Sequence, residues 1–139
     1  MLGGFKSLKL LEMSLDASAV RRDVIANNIA NVDVPGFKRS EVVFEAELKR
    51  AIESQRRFEE EEPLHTTQPG HIARRPPRRI EDVRPAVHID YNSTMRNDGN
   101  NVDIEDEVMK MVRNQLHFNL IADRISGKFS EWNGFIRMA

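Results

Sequence analysis

The sequence predicts a mainly α fold, in which long N- and C-terminal helices pair as a coiled-coil-like bundle. Between them lies a loop-rich central segment containing short strand and helix pieces. Three observations predict it. Apolar residues recur at alternating steps of three and four along both ends of the chain. Proline and runs of like charge break up the middle. Of 139 residues, 40% are hydrophobic but only 6% are aromatic, a composition that fits a thin helical core. The expected division is residues 1–37 as an N-terminal helix and turn, 38–101 as the central segment, and 102–139 as the C-terminal helix.

The first helix follows from Leu8, Leu11, Leu15, Ser18, Arg22, Ile25, Ile29 and Val32, a heptad seam with polar substitutions at Ser18 and Arg22. Continuous from Phe5 to Asn31, it would be roughly 40 Å long. Pro35 cannot extend it, and Gly36 supplies a permissive turn. Next, "VVFEAELKRAIESQRRFEEEE" predicts a short helix from about Ser40 that runs into a charged stretch. "EEPLHTTQPGH" and "ARRPPRRIEDVRP" read as loop. Val87, Ile89 and Tyr91 alternate with His88 and Asp90, which predicts one short strand.

The last helix is marked most clearly. "NDGNN", Asn97 to Asn101, is a turn sequence. Asp103 can cap the helix, and Glu105, Asp106 and Glu107 put negative charge in its first turn. Its seam reads Ile104, Val108, Met111, Gln115, Phe118, Ala122, Ile125, Phe129, Trp132 and Ile136. From Asp103 to Arg137 it would span roughly 50 Å. Neither helix can bury such a seam alone. Matching periods at the two ends predict that they pair with each other and with neighbouring subunits.

Composition removes several function classes. With no cysteine there is no disulfide scaffold, thiolate metal site or cysteine nucleophile. A formal net charge of -1 gives no field that marks the chain for nucleic acid. No run of about 18 apolar residues exists, so no membrane insertion is expected. Lys9, Glu12 and Asp16 interrupt the N-terminal apolar stretch, so a cleaved secretory signal is not expected either. Among the histidines His65, His71, His88 and His117, a zinc site from His65 and His71 lacks two further ligands. Glu59 to Glu62 reads as a solvated charge run. Arg74, Arg75, Arg78 and Arg79 read as a solvated loop or a contact to an acidic neighbour, because no aromatics interleave them. No nucleophile, base and orienting group form a set, so no enzyme, cofactor or metal is expected.

"IANNIANVDVPGFKR", residues 25 to 39, is left to explain, with three amides in the last turns of a helix that then stops sharply. Near a packed seam an amide must find a partner. One that does so fixes register. Asn28 lies beside Ile25 and Ile29, Asn27 and Asn31 lie four apart on an adjoining face, and Asn31 is placed to bond the last carbonyls. A frayed polar helix end is the plain alternative.

This stretch resembles the N-terminal signature of the flagellar axial proteins. Ala26-Asn27-Asn28-Ile29-Ala30-Asn31 and Pro35-Gly36-Phe37-Lys38 match it, with Val34 where threonine or serine is commoner. "DGNNVDIEDEVMKMVRNQLHFNLIADRISGKF" (Asp98 to Phe129) and "PGHIARRP" are similar to the shortest members, the proximal rod proteins of the flagellar basal-body rod family. The resemblance implies a structural subunit of a helical, tubular rod in the periplasmic space, exported by the flagellar type III apparatus without a cleaved signal. Implied partners are copies of itself, other rod proteins, the basal-body adaptor protein and the export gate. It also implies that residues 26–31 and 35–37 form an assembly motif. Phe44 and Leu48, an apolar pair four apart, become a candidate export signal; by themselves they read as ordinary packing. A cytoplasmic helical adaptor that uses the Arg-rich loop on nucleic acid or an acidic partner would explain the loop but not the signature.

Overall fold

The structure, a computed structural model, describes residues 2–61 and 76–138. In chain order it contains helix α1 (Leu2–Ala30), strand β1 (Ser40–Val43), helix α2 (Glu45–Glu60), a 3₁₀ turn (Ile80–Asp82), strand β2 (Ala86–Ile89) and helix α3 (Ile104–Met138). It divides into two compact units. One holds α1, β1, β2 and α3; the other, Phe44–Arg84, holds α2 and the 3₁₀ turn. Glu62, His65, His71, Arg74, Arg75 and most of "PGHIARRP" lie outside the described residues.

In the first unit the long terminal helices pack together. Asn28 of α1 meets Glu107 of α3, and Ser18 meets Asn114, so the helices run antiparallel. The α1 face turned inward carries buried Met13, Ala17, Ser18, Ile25 and Asn28. On α3 the buried positions Glu107, Asn114 and Ile121 recur every seventh residue. Half-buried Met111, Phe118 and Ile125 fill the steps between and after them, giving the three-four alternation of a helix seam, and half-buried Trp132 lies one heptad beyond Ile125. This contact row shares Met111, Phe118, Ile125 and Trp132 with the apolar row read from the sequence. Of the remaining six, Ile104, Val108, Gln115, Phe129 and Ile136 are exposed in this single chain and Ala122 is half-buried. The rotation has a physical cause, because Glu107 and Asn114 find hydrogen-bond partners on α1. On α1, Leu8, Leu11, Leu15 and Ile29 are half-buried. The Phe129 and Trp132 rings meet edge to face, with centroids 5.7 Å apart.

Residues from Ser40, expected to begin a helix, instead form β1. The strand pairs antiparallel with β2, with Ser40 opposite Ile89 and Val43 opposite Ala86. Two β-branched valines suit the pleat. Asn28 also takes both the N–H and the C=O of Ser40, which fixes the strand's first residue in extended backbone. The helix begins only after Phe44. The strand expected around Val87 and Ile89 is β2, and it stops before Tyr91.

In the second unit, Phe44, Ala51 and Val83 are buried. Arg78 ties the loop to α2: its Nη1 donates to Glu47 Oε2 at 2.8 Å and its backbone N–H to Ser54 Oγ at 3.3 Å. The Arg78 hydrogen bond, aided by Arg50, holds the Glu47 carboxyl below its ordinary value against the opposing effect of burial.

Candidate functional site: the amide node of the helix pair

The signature stretch supplies the centre of a polar node. Ile25 and Asn28 sit three apart on α1, so the helix that buries the isoleucine also buries the amide, which is 0% exposed. Asn28 Nδ2 donates to Ser40 O at 2.8 Å and to Glu107 Oε2 at 2.9 Å, and its Oδ1 accepts the Ser40 N–H at 3.0 Å. One side chain thus joins α1, β1 and α3. Glu107 is 1% exposed, and a carboxylate so buried is tolerated only when paired. Its second oxygen accepts from Lys110 Nζ at 2.9 Å, and Arg39 Nη1 lies 3.8 Å away. Burial alone would lower the Lys110 pKa, but bonds to Asp106 and Glu107 outweigh it and the net shift is upward. Lys110, with help from Arg39, holds the Asp106 carboxyl below its ordinary value despite burial.

Two further asparagines close the end of α1. Asn100, fully buried, shares its Nδ2 among the carbonyls of Asn31, Val32 and Val34 at 2.8–3.1 Å. A helix C-terminus leaves such carbonyls without intrahelical partners, and Asn100 supplies them from a distant part of the chain. Its Oδ1 accepts the Val102 N–H at 2.7 Å. Asn101 Oδ1 accepts the Arg39 N–H at 2.6 Å, while its Nδ2 donates to Asp90 O and Ser93 Oγ. Lys38 Nζ reaches the carbonyls of Ser93 and Gly99. Ser93, with the Asn92 N–H, hydrogen-bonds the Asp90 carboxylate and keeps its pKa below the ordinary value. The two turns dock directly: the Gly36 N–H donates to Asp98 O at 3.0 Å. Gly36 (φ 72°) and Gly99 (φ 82°) adopt left-handed backbone, which L side chains rarely accept. A Cβ added at Gly99 would lie 3.8 Å from Gly36 Cα.

A second rung lies farther along the pair. Asn114 Nδ2 donates to Ser18 O at 2.8 Å, and Ser18 Oγ lies 3.4 Å from His117 Nδ1. Asp103 Oδ1 accepts the N–H of Glu105 at 2.9 Å and so caps α3.

The other residues read as a motif are spread more widely. Ala26, Asn27, Ala30, Pro35 and Gly36 are exposed, while Ile29, Asn31 and Phe37 are half-buried. Asn31 Nδ2 donates to Asn27 O at 2.7 Å, a last-turn carbonyl. Phe44 is 2% exposed and occupies the N-cap position of α2; its carbonyl accepts the N–H of half-buried Leu48 at 2.9 Å. Arg79 pairs with Glu81 at 3.3 Å. Asn100, Asn101 and Glu107 were not singled out as node residues from the sequence. Their only signal was "GNN" directly before an acidic helix start, which reads first as turn and cap chemistry. The node ties α1, β1 and α3 together through these hydrogen bonds. Among the described residues no group of three or more His, Cys, Asp or Glu could hold a metal ion. None of the described helices is long and apolar enough to cross a membrane.

A family profile described as flagella basal body rod protein matches residues 14–38, which covers the second half of α1 and the signature turn. Among curated proteins, the flagellar basal body rod protein FlgB of Borrelia hermsii is 38% identical over 94% of this chain and 96% of its own length. FlgB of Borreliella burgdorferi is 36% identical over 85% of this chain and 86% of its own. FlgB of Escherichia coli is 30% identical, with 88% and 86% covered.

Proposed function

The chain belongs to the family of the flagellar basal body rod protein FlgB, and from that premise we propose how it reaches and joins the rod. It is a structural subunit of the flagellar basal-body rod. In our reading it leaves the cytoplasm through the flagellar type III apparatus, without a cleaved signal, and is built into a helical tube in the periplasmic space. Its partners there are copies of itself, other rod proteins and the basal-body adaptor protein; during export its partner is the gate. Residues 1–37 and 102–139 act as the assembly helices, and 38–101 faces outward or bridges subunits.

The observation that carries this reading is the single buried side chain, Asn28, that joins the signature helix to both α3 and the sheet. A buried polar contact of this kind specifies one register at some expense of stability. A subunit stacked repeatedly in a helical polymer needs one shape, since any slip between its helices is repeated along the tube. Phe44 and Leu48 are the proposed element for the export gate, because recognition of an unfolded chain must use something short and local. The adaptor reading has no support from the comparisons, and the two described arginines of the loop, Arg78 and Arg79, pair with Glu47 and Glu81.

The test is an Asn28→Leu chain in cells that lack the wild-type copy. We expect near-normal amounts beyond the cytoplasm, few chains in purified basal bodies, and loss of motility. Normal motility would refute the register role of Asn28. Absence of the wild-type chain from basal-body density at the rod would refute the reading as a whole.

A further inference from the structure

The α3 helix has two apolar faces, and α1 covers only one. At 100° per residue, Val112 and Leu116 point about 140° and 180° away from Glu107, which faces α1. With Val108, Met109 and Leu120 they form a continuous stripe, each residue between 48% and 65% exposed. The described part of this unit leaves the stripe uncovered. Five large aliphatic side chains in register on one helix face exceed the scatter of single exposed residues expected on a soluble surface.

A complementary surface exists on the same unit. Val20, Asp23, Val24 and Asn27 follow the i, i+3, i+4, i+7 spacing of one helical face on α1. With Ser40 and Val87 they line an open groove of about 310 Å³. Val20 and Val24 are half-buried at the border of the face packed on α3, and Asp23 and Asn27 are exposed beyond it. From Met109 to Leu120 the stripe runs about 16 Å, and the α1 side of the groove runs about 10 Å, with Val87 widening it. Charge matches as well. Arg113 borders Met109 and Leu116 on the stripe, while Asp23 lines the groove with its side chain 74% exposed and meets Arg22 of its own helix only at 3.4 Å, a solvent-exposed pair that a second partner can share.

We propose that the occupant of this groove is the α3 stripe of a second copy of this chain, with Arg113 of one copy meeting Asp23 of the next. The inference rests on the rod-subunit reading. Stripe and groove are different surfaces of one molecule, so the contact is heterologous. A heterologous contact leaves a free stripe at one end and a free groove at the other, and it propagates rather than closing as a two-fold dimer. That growth rule is what a tube of repeated subunits requires.

The sequence contains no cysteine, so site-specific cross-linking is clean. The full chain would carry Leu116→Cys and Val24→Cys together, or either alone. Basal bodies would be purified, treated with a mild oxidant, and resolved without reductant. We expect the double variant to give a ladder of dimers, trimers and higher species, and each single variant to give monomer. A chain present in basal bodies that forms no ladder overturns this contact and leaves the rod reading intact. Dimers from Leu116→Cys alone overturn it too, because they show a two-fold contact. A wild-type chain absent from basal bodies prepared in parallel overturns the rod reading itself. In the double-cysteine background, Asp23→Arg and Arg113→Glu guard against a misplaced sulfur: either alone should lower ladder yield about tenfold, and the two combined should restore it. An unchanged yield in both single charge variants removes the charge pair and with it the proposed pairing.

Discussion

Replacing Asn28 by leucine tests the node most directly, because leucine is similar in volume and the loss is nearly all polar. Three groups lose a partner: the Ser40 N–H, the Ser40 carbonyl and one oxygen of Glu107. A buried group left unsatisfied costs about 1–3 kcal/mol, and the charged acceptor falls at the upper end of that range. The three share one site, so the terms do not add fully. The extra apolar burial of leucine returns about 1 kcal/mol. The expected net loss is about 3–5 kcal/mol, a large share of the 5–15 kcal/mol that holds a domain together. For a chain of this size it corresponds to roughly 10–20 °C in Tm. The assay is thermal and urea unfolding of the purified chain by circular dichroism, with coincident probes to establish a single transition. Asn27→Leu is the control: its side chain is exposed, and it should stay within about 0.5 kcal/mol of the parent. A double-mutant cycle with Glu107→Gln should show coupling, since the two side chains touch at 2.9 Å. An Asn28→Leu chain within about 1 kcal/mol of the parent would refute the claim that the amide holds the helices together.

Three other outcomes follow from the same structure. Asn100→Ala removes donors from three carbonyls at the end of α1 and should cost about 2–4 kcal/mol, with faster amide exchange at Val102; unchanged exchange there would argue that water replaces the cap. Phe44→Ala should leave the chain in the cytoplasm of cells lacking the other rod proteins, whereas wild-type levels beyond the cytoplasm would leave Phe44 as packing alone, worth about 3–5 kcal/mol. The folded pKa values of Asp90 and Asp106 lie below the ordinary 3.8, so their contribution is complete above that pH and is lost as pH falls through the folded values. Lys110 is raised above 10.5, so its contribution is complete below that pH and fades as pH climbs past it. Urea midpoints should therefore fall at both extremes of pH, and Asp106→Asn should flatten the acid side; a midpoint that stays level down to pH 2 would contradict this.

Much of the helical frame was legible in the sequence, because spacing alone encodes it. The alternation from Leu8 and from Ile104 predicted both long helices, and Asp103 predicted the start of α3. Three features were hidden for physical reasons. β1 is a strand by virtue of partners at Ala86–Ile89 and of the Asn28 side chain, neither of which is local to it. Between Ser40 and Glu60, the helix-favouring run after Phe44 dominates any local reading. The contact row of α3 includes Glu107 and Asn114, and a search for apolar period passes over polar side chains that earn burial through a distant partner. Asn100 and Asn101 looked like turn residues because nothing local indicates which carbonyls they reach. The resemblance identified the signature; the geometry identified the glutamate that the signature's central amide binds.

The grip between α1 and α3 sets amides and a carboxylate among its apolar side chains. When such a grip opens in water, its polar groups rehydrate, and they interrupt the apolar surface that is exposed. A chain built this way meets less temptation to stick to its neighbours while it is open, since long uninterrupted apolar segments are what drive unfolded chains into aggregates. The same asparagines that hold one folded shape make the loss of that shape a recoverable event.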